Sequence, residues 1–262
     1  MQGKSICVNL SRKDILHDVN FKAESGQVTA IIGPNGSGKS TLLKTLAGEI
    51  GTSGTVTLNG HDISALKPWQ LAAMRGVLPQ STSVAFPFKV YEIVRLGLAN
   101  GLAAIDDELT AKALAHVDLA GFEDRSYQTL SGGEQQRVQL ARVLTQVWGT
   151  QHTDQPRWLL LDEPVASLDI AHQFAVLHIA GDFAAAGGGV VVVMHDLNLT
   201  ALFADCVYVL SQGYVWGSGT PSEVLNIDLM QQVYGIDLPI SKVPKSSIPF
   251  VLPQVMRKRL GA

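Results

Sequence analysis

Between the apolar run Val28-Thr29-Ala30-Ile31-Ile32 and the helix-forming run Leu42-Leu43-Lys44-Thr45-Leu46-Ala47 lies Gly33-Pro34-Asn35-Gly36-Ser37-Gly38-Lys39-Ser40-Thr41, a glycine loop set between a strand and a helix. Glycines at 33, 36 and 38 admit turns that a side chain would forbid and let the backbone approach an anion. The loop amides and the partial positive charge of the helix N-terminus then form a phosphate cradle. Lys39 can reach the outer phosphates, and the Ser40 hydroxyl can ligate magnesium. Every fixed position of the pattern G-x-x-x-x-G-K-S is met. A dinucleotide fingerprint starting at Gly36 fails, because Thr41 stands where the last small residue belongs.

The 262 residues are enough for a large buried core, as one large domain or two lobes. A net charge of -3 gives no general basic field, so nucleic acid is not an expected partner. No apolar run approaches the ~20 residues that span a bilayer. The first residues, Met1-Gln2-Gly3-Lys4-Ser5-Ile6-Cys7, lack the apolar centre of a secretory signal. Cys7 and Cys206 match no metal or redox spacing and read as reduced, structural residues. A cytosolic protein is expected, and work at a membrane requires a partner to hold it there.

Residues 5 to 32 read as an antiparallel edge feeding the central strand that delivers the loop. A short strand follows within 51–60, then a helix at about Pro68 to Met74 and a second short strand, Arg75-Gly76-Val77-Leu78-Pro79-Gln80, ending on a glutamine. From about 81 to 147 the pattern turns helical, with Val90, Ile93, Val94 and Leu96 on one helix and Leu109, Ala113, Leu114 and Val117 on another: a helical lobe inserted into an α/β domain. At its entrance Phe86-Pro87-Phe88 is either core or an apolar surface for a partner. In Leu130-Ser131-Gly132-Gly133-Glu134-Gln135, Ser131 and Glu134 form a capping box at the start of an amphipathic helix. Gly132 and Gly133 weaken that first turn by up to ~1 kcal/mol each relative to alanine. Bare backbone there makes sense if an anion must approach it.

A polar loop, Thr150 to Pro156, precedes the apolar strand Arg157-Trp158-Leu159-Leu160-Leu161, which ends in Asp162-Glu163. Ligands of open parallel sheets bind at the carboxyl ends of strands, so Asp162 belongs beside the magnesium of Ser40, and Glu163 is free to activate a water. Asp169, in Ser167-Leu168-Asp169, either caps the next helix or joins the site. After Gly187-Gly188-Gly189 the buried strand Val190 to Met194 runs into His195, placed to bond a terminal phosphate or the attacking water. The other histidines, at 17, 61, 116, 152, 172 and 178, share no spacing and read as surface. A hairpin from Cys206 to Trp216 closes the sheet, a last helix starts within 217–225, and the tail after Tyr234 is rich in Pro and Ser.

Taken in order, the glycine loop, Gln80, LSGGEQ (130–135), the strand ending in Asp162-Glu163, Ser167-Leu168-Asp169 and His195 are similar to the ATP-binding subunits of ABC transporters over about residues 26 to 225. Within that family, Ala85-Phe86-Pro87-Phe88, the run 130–144 and Pro156-Arg157-Trp158 resemble the subgroup that serves hemin, ferric siderophores and vitamin B12. The resemblance implies a P-loop NTPase core with a mostly parallel sheet, an antiparallel β edge and an inserted helical subdomain. As one domain over 1–262, the core takes 1–80 and 150–225, the helical subdomain 81–149 and the tail 226–262.

The resemblance also implies roles. ATP and Mg2+ are the expected ligands, with Gly33 to Thr41 of one subunit and Ser131, Gly132 and Gly133 of the other enclosing each ATP in a head-to-tail homodimer. Lys39 neutralises the transferring phosphoryl group, Glu163 is general base, His195 holds the γ-phosphate, and Ser40, Asp162 and Gln80 attend the metal. Two transmembrane permease subunits dock near the helical lobe, a periplasmic substrate-binding protein acts indirectly, and the chain sits on the cytoplasmic face of the bacterial inner membrane. Hemin import is the leading expectation and ferric siderophore or vitamin B12 import the alternative. A soluble ABC-type ATPase on nucleic acid or the ribosome is the rival of another class, disfavoured by the single cassette and the missing basic arm. One departure stands out: residues 1 to 20 contain no Phe, Tyr or Trp to stack on adenine, leaving Leu10 or Ile15 for an apolar contact.

Overall fold

Alternating apolar and polar residues near the amino terminus form two antiparallel strands, β1 (Gln2–Leu10) and β2 (Lys13–Lys22), in the computed structural model, which describes residues 1–82, 84–100, 107–148, 155–243, 247 and 249–255. The next apolar run is β3 (Val28–Ile32), followed by the glycine loop and α1 (Lys39–Leu46). β4 (Thr55–Leu58) and the two-residue β5 (His61–Asp62) return to the first pair, giving a sheet of order β2-β1-β4-β5. The expected antiparallel edge is therefore largely a sheet of its own. Its strands bury residues on one face (Ile6 and Val8; Leu16, Val19 and Phe21; Val56 and Leu58), with irregular β1–β2 register interrupting the strict alternation, so it covers a core on one face and meets water on the other.

The helix α2 (Pro68–Met74) leads to β6 (Arg75–Leu78), and α3 (Val90–Arg95), α4 (Asp107–His116) and α5 (Gly132–Trp148) fill the interval before β7 (Trp158–Asp162). Then come α6 (Ile170–Ala185), β8 (Gly189–Val193), α7 (Leu197–Phe203), the hairpin of β9 (Cys206–Ser211) and β10 (Tyr214–Gly219), and the short α8 (Pro221–Val224). The main sheet has the order β10-β9-β3-β8-β7-β6, parallel except for the β9–β10 edge.

These strands read as continuous apolar runs because both faces are covered. Ala30, Leu159, Leu161, Val190, Val192, Val207 and Val209 pack with α3 to α7 on one side. Ile31, Trp158, Leu160, Val191, Val193, Tyr208 and Leu210 pack on α1 and the small sheet on the other.

Three expectations change. Leu96 is 52% exposed: α3 ends at Arg95, and the tighter 3-10 turn Leu96–Asn100 takes it off the stripe of Val90, Ile93 and Val94. The tail expected from 226 starts with a packed π-helical turn, Leu229–Val233, whose Leu229 and Met230 join the buried residues. His17 and His172 are not plain surface residues: His17 stacks on Tyr214 with centroids 4.6 Å apart, and His172 bonds Asp169. Residues 149–154, hence His152, most of the expected polar loop and the end of the helical insertion, lie outside the described residues.

Trp158 ties the layers together. It is 1% exposed, its indole N–H donates to Asn59 Oδ1 at 2.9 Å, and its ring lies where a side chain on Gly189 would fall. Trp158→Ala is expected to lower stability by about 3–5 kcal/mol, read as a drop in the urea midpoint. A midpoint equal to wild type would show that this ring is dispensable to the core.

Candidate active site

The parallel order β3-β8-β7-β6 turns four distant segments into one edge. The glycine loop leaves the carboxyl end of β3, His195 follows β8, Asp162 ends β7 with Glu163 next, and Gln80 follows β6.

In the loop, Gly33 has φ +143°, and a Cβ there would strike the Leu210 carbonyl; Gly38 has φ +102° and is the left-handed N-cap of α1. Asn35 and Gly36 form the exposed tip, and Pro34, Gly38, Ser40 and Thr41 are half-buried. Lys39 is buried, and its Nζ donates to the carbonyls of Gly33 at 3.0 Å and Pro34 at 2.9 Å. Burial pulls its pKa below the usual lysine range, against the opposing pull of Glu163 and Asp162. Ser37 is buried too, and its Oγ has no partner among the described residues.

Ser40 Oγ donates to Asp162 Oδ1 at 3.0 Å, while Asp162 Oδ2 is buried without a hydrogen-bond partner among the described residues. An orphaned carboxylate oxygen beside a serine hydroxyl at the phosphate loop fits a hard cation that takes its other ligands from phosphate and water. Burial, aided by the neighbouring Glu163 charge, raises the Asp162 pKa against the opposing pull of the Ser40 hydroxyl, Lys44 and Lys39. Among the described residues no group of three or more His, Cys, Asp and Glu forms an all-protein metal cage.

Glu163 adopts φ +52°, a left-handed conformation that a non-glycine residue holds only with support. Its Oε1 lies 2.5 Å from His195 Nε2, and its Oε2 accepts from Gln80 Nε2 at 2.9 Å. The structure thus brings Lys39, Ser40, Gln80, Asp162, Glu163 and His195 together. Ser131 and Gly133 have other neighbours, and Gly132 meets this group only through a cavity that it lines with Gln80. Ser131 and Glu134 form the expected capping box, with Ser131 N and Oγ donating to Glu134 Oε2 at 2.7 and 2.8 Å. Gly132 faces open space, whereas a Cβ on Gly133 would come within 3.2 Å of Leu168. Asp169 caps α6, accepting from His172 N at 2.9 Å.

Sequence reasoning missed other neighbours of the site. Gly213 N–H donates to the Ser37 carbonyl at 3.1 Å and its own carbonyl accepts from His17 N, while the next residue, the half-exposed Tyr214, stacks on His17. Ile15 borders the same place, its carbonyl 3.3 Å from where a Gly38 Cβ would stand, whereas Leu10 lies at the β1–β2 turn, 39% exposed. Gln136 donates to the Glu163 carbonyl at 3.2 Å. Only a strand order could have pointed to Tyr214. Phe86 is 68% exposed, edge-on to the half-buried Phe88, and a groove of about 410 Å3 lined by Val84, Ala85, Phe88 and Leu96 opens beside them.

A buried Asp162 with a raised pKa disfavours the fold once it is charged. Asp162→Asn is therefore expected to raise the urea midpoint of the nucleotide-free chain at neutral pH. That gain fades as pH falls through the raised folded-state pKa toward the ordinary value of 3.8, where a proton neutralises the wild-type carboxyl. A midpoint difference independent of pH would contradict the burial argument.

Residues 16–166 match the ABC transporter family. The hemin import ATP-binding protein HmuV of Ruegeria sp. (strain TM1040) is 54% identical over 257 residues, covering 98% of this chain and 99% of that protein. The protein of the same name from Rhizobium meliloti (strain 1021) is 53% identical over 257 residues, 97% and 98% of the two chains. Among solved structures, the ATP-binding cassette MJ0796, dimeric in a post-hydrolysis state bound to ADP and Pi, matches with a TM-score of 0.73 at 25% identity over 84% of this chain and 98% of that one. With its glycine loop, paired acids and capped LSGGEQ helix in that arrangement, the chain belongs to the ABC transporter family as one of its ATP-binding cassettes.

Proposed function

We propose that the chain is the ATP-hydrolysing subunit of a hemin importer, working as a homodimer beneath two permease subunits on the cytoplasmic face of the bacterial inner membrane. The observation that carries the chemistry is the Glu163 carboxylate held between His195 and Gln80, beside Ser40 and the half-satisfied Asp162. The substrate assignment draws on the near full-length identity to proteins named for hemin import. No described helix is long and apolar enough to cross a membrane, so this reading needs a permease to carry the cargo.

In this reading the loop amides and Lys39 receive the β- and γ-phosphates of ATP. Ser40 and Asp162, with Gln80 nearby, would hold Mg2+, which supplies positive charge against the phosphate oxygens when bound. Glu163 takes a proton from a water whose oxygen bonds to the γ-phosphorus while the β–γ bridging bond breaks, leaving ADP and phosphate. Gln80 and His195 aim that carboxylate, and His195 also faces the γ-phosphate. Ile15 and the His17–Tyr214 stack give the base an apolar and aromatic surface in place of the missing upstream aromatic residue.

Ser131, Gly132 and Gly133 of a second copy close over the nucleotide, so ATP binds the closed dimer better than the open one and hydrolysis releases it. Phe86, Phe88 and the groove beside them offer the permease an apolar footing, through which closure becomes alternating access. A periplasmic substrate-binding protein would deliver hemin to the outer side.

Glu163→Gln is expected to keep ATP affinity, to reduce turnover by roughly a hundred- to ten-thousandfold, and to accumulate an ATP-bound dimer in size-exclusion chromatography. Wild-type turnover in that variant would remove Glu163 as the base. In liposomes carrying the assembled transporter, hemin delivered by its binding protein is expected to accelerate ATP hydrolysis and to accumulate inside. Acceleration by a ferric siderophore or vitamin B12 and none by hemin would reassign the substrate.

A further inference from the structure

The helix that carries the LSGGEQ turn is also packed against the segment that carries its own subunit's base. Gly133 lies beneath Leu168, and a Cβ there would stand 3.4 Å from the Ser167 carbonyl. One turn on, Gln136 Nε2 donates to the Glu163 carbonyl at 3.2 Å. The buried Arg137 donates through Nη1 to the carbonyls of Val117 and Asp118, each at 3.1 Å. The Asp118 carboxylate lies 3.8 Å from His172 Nε2, and His172 Nδ1 lies 2.8 Å from Asp169 Oδ1. Residues 133, 136 and 137 thus all bear, directly or through one neighbour, on the stretch from Glu163 to His172.

We propose that Gln136 is a positioning residue through which the LSGGEQ turn of a subunit, serving one reaction centre of the dimer, sets the geometry of Glu163, serving the other; this coupling rests on the reading of Glu163 as base and of the paired subunits given above. The Glu163 backbone at φ +52° needs external restraint. Its carbonyl receives that restraint from Ala166 N–H at 3.3 Å and from the Gln136 amide. The amide can face a carbonyl only through its NH2 group, and Gln136 Oε1 is left buried without a partner among the described residues. It borders a cavity of about 190 Å3 shared with Gln80, Gly132 and Ser167, which has room for water. A turn of the Glu163 peptide would carry the carboxylate off His195 and Gln80. From Gly132 to Gln136 is about one turn of rigid helix, roughly 6 Å, so a shift of the turn against a phosphate reaches Glu163 with little loss. Each centre would then sense whether the other is filled.

The test uses the full transporter with Gln136→Leu, which keeps the bulk of the side chain and removes the donor, and with Gln136→Ala as a second variant. Both are expected to lower kcat for ATP by roughly ten- to a hundredfold with KM within about twofold and thermal melting unchanged. The Hill coefficient for ATP should fall toward one, as for independent sites. Mixed dimers locate the effect. In the same subunit as Glu163→Gln, Gln136→Leu should add no loss beyond that of Glu163→Gln alone; in the opposite subunit it should remove most of the remaining turnover. Unchanged kcat and Hill coefficient, or equal loss in the two mixed arrangements, would overturn the coupling while leaving Glu163 as base. Wild-type turnover of the Glu163→Gln control would instead overturn the base itself, and the coupling with it.

Discussion

Parallel pairing of β3, β8, β7 and β6 is the constraint on which the rest of the molecule depends. A parallel sheet must be covered on both faces, and the residues of these strands alternate between two cores that lie on opposite sides. A slip of one residue in any strand would exchange the two sets of side chains and also move a strand end out of line with its neighbours. The same register that buries Leu160 and Val191 therefore fixes where Asp162, His195 and Gln80 emerge. Core packing and site geometry are one requirement rather than two.

What emerges at that edge is not comfortable. Asp162 and Lys39 are buried, and burial is the largest influence on each, pushing both toward their neutral forms despite their mutual attraction. Glu163 is held in a left-handed conformation, and Ser37 Oγ and Asp162 Oδ2 have no partner among the described residues. Groups left so incompletely satisfied suit a ligand that carries both signs of charge: phosphate oxygens for the amides and Lys39, a cation for Asp162. The stability lost here is offset by the apolar cores that flank the sheet, among them the one around Trp158.

Much of this was legible in the chain because the informative signals are local. A glycine loop between strand and helix, a capping box, and acids or a histidine directly after apolar strands each need only a few neighbouring residues to be read. Their convergence followed from assuming one parallel sheet. What stayed hidden depends on which distant strands pair. The separate sheet formed by β1, β2, β4 and β5 needs the return of β4 to β1, some fifty residues along the chain. The β9–β10 turn meets the glycine loop only because Gly213 bonds Ser37 across the fold. Leu96 fits the helical period in sequence but falls where the helix tightens and ends. Gln136 carried no signal at all, since a glutamine on an amphipathic helix is ordinary until the backbone carbonyl opposite it is known.

The two glycines of the LSGGEQ turn, read in sequence as a matched pair, have different surroundings, and the difference bears on how two such chains would work together. A Cβ on Gly132, at the start of α5, would meet nothing within 4 Å, and the glycine borders the cavity it shares with Gln80. Gly133 is small for the opposite reason, because Leu168 and Ser167 of the same chain press against it. Enlarging the first would obstruct something that approaches from outside, and enlarging the second would push the helix off the segment holding Glu163. A helix obliged to stay narrow on both counts stands between an external surface and an internal one. In the head-to-tail pair proposed above, those surfaces would belong to different reaction centres. On the proposed reading, nothing longer than a turn of helix would separate the binding of one nucleotide from the alignment of the carboxylate proposed to act on the other.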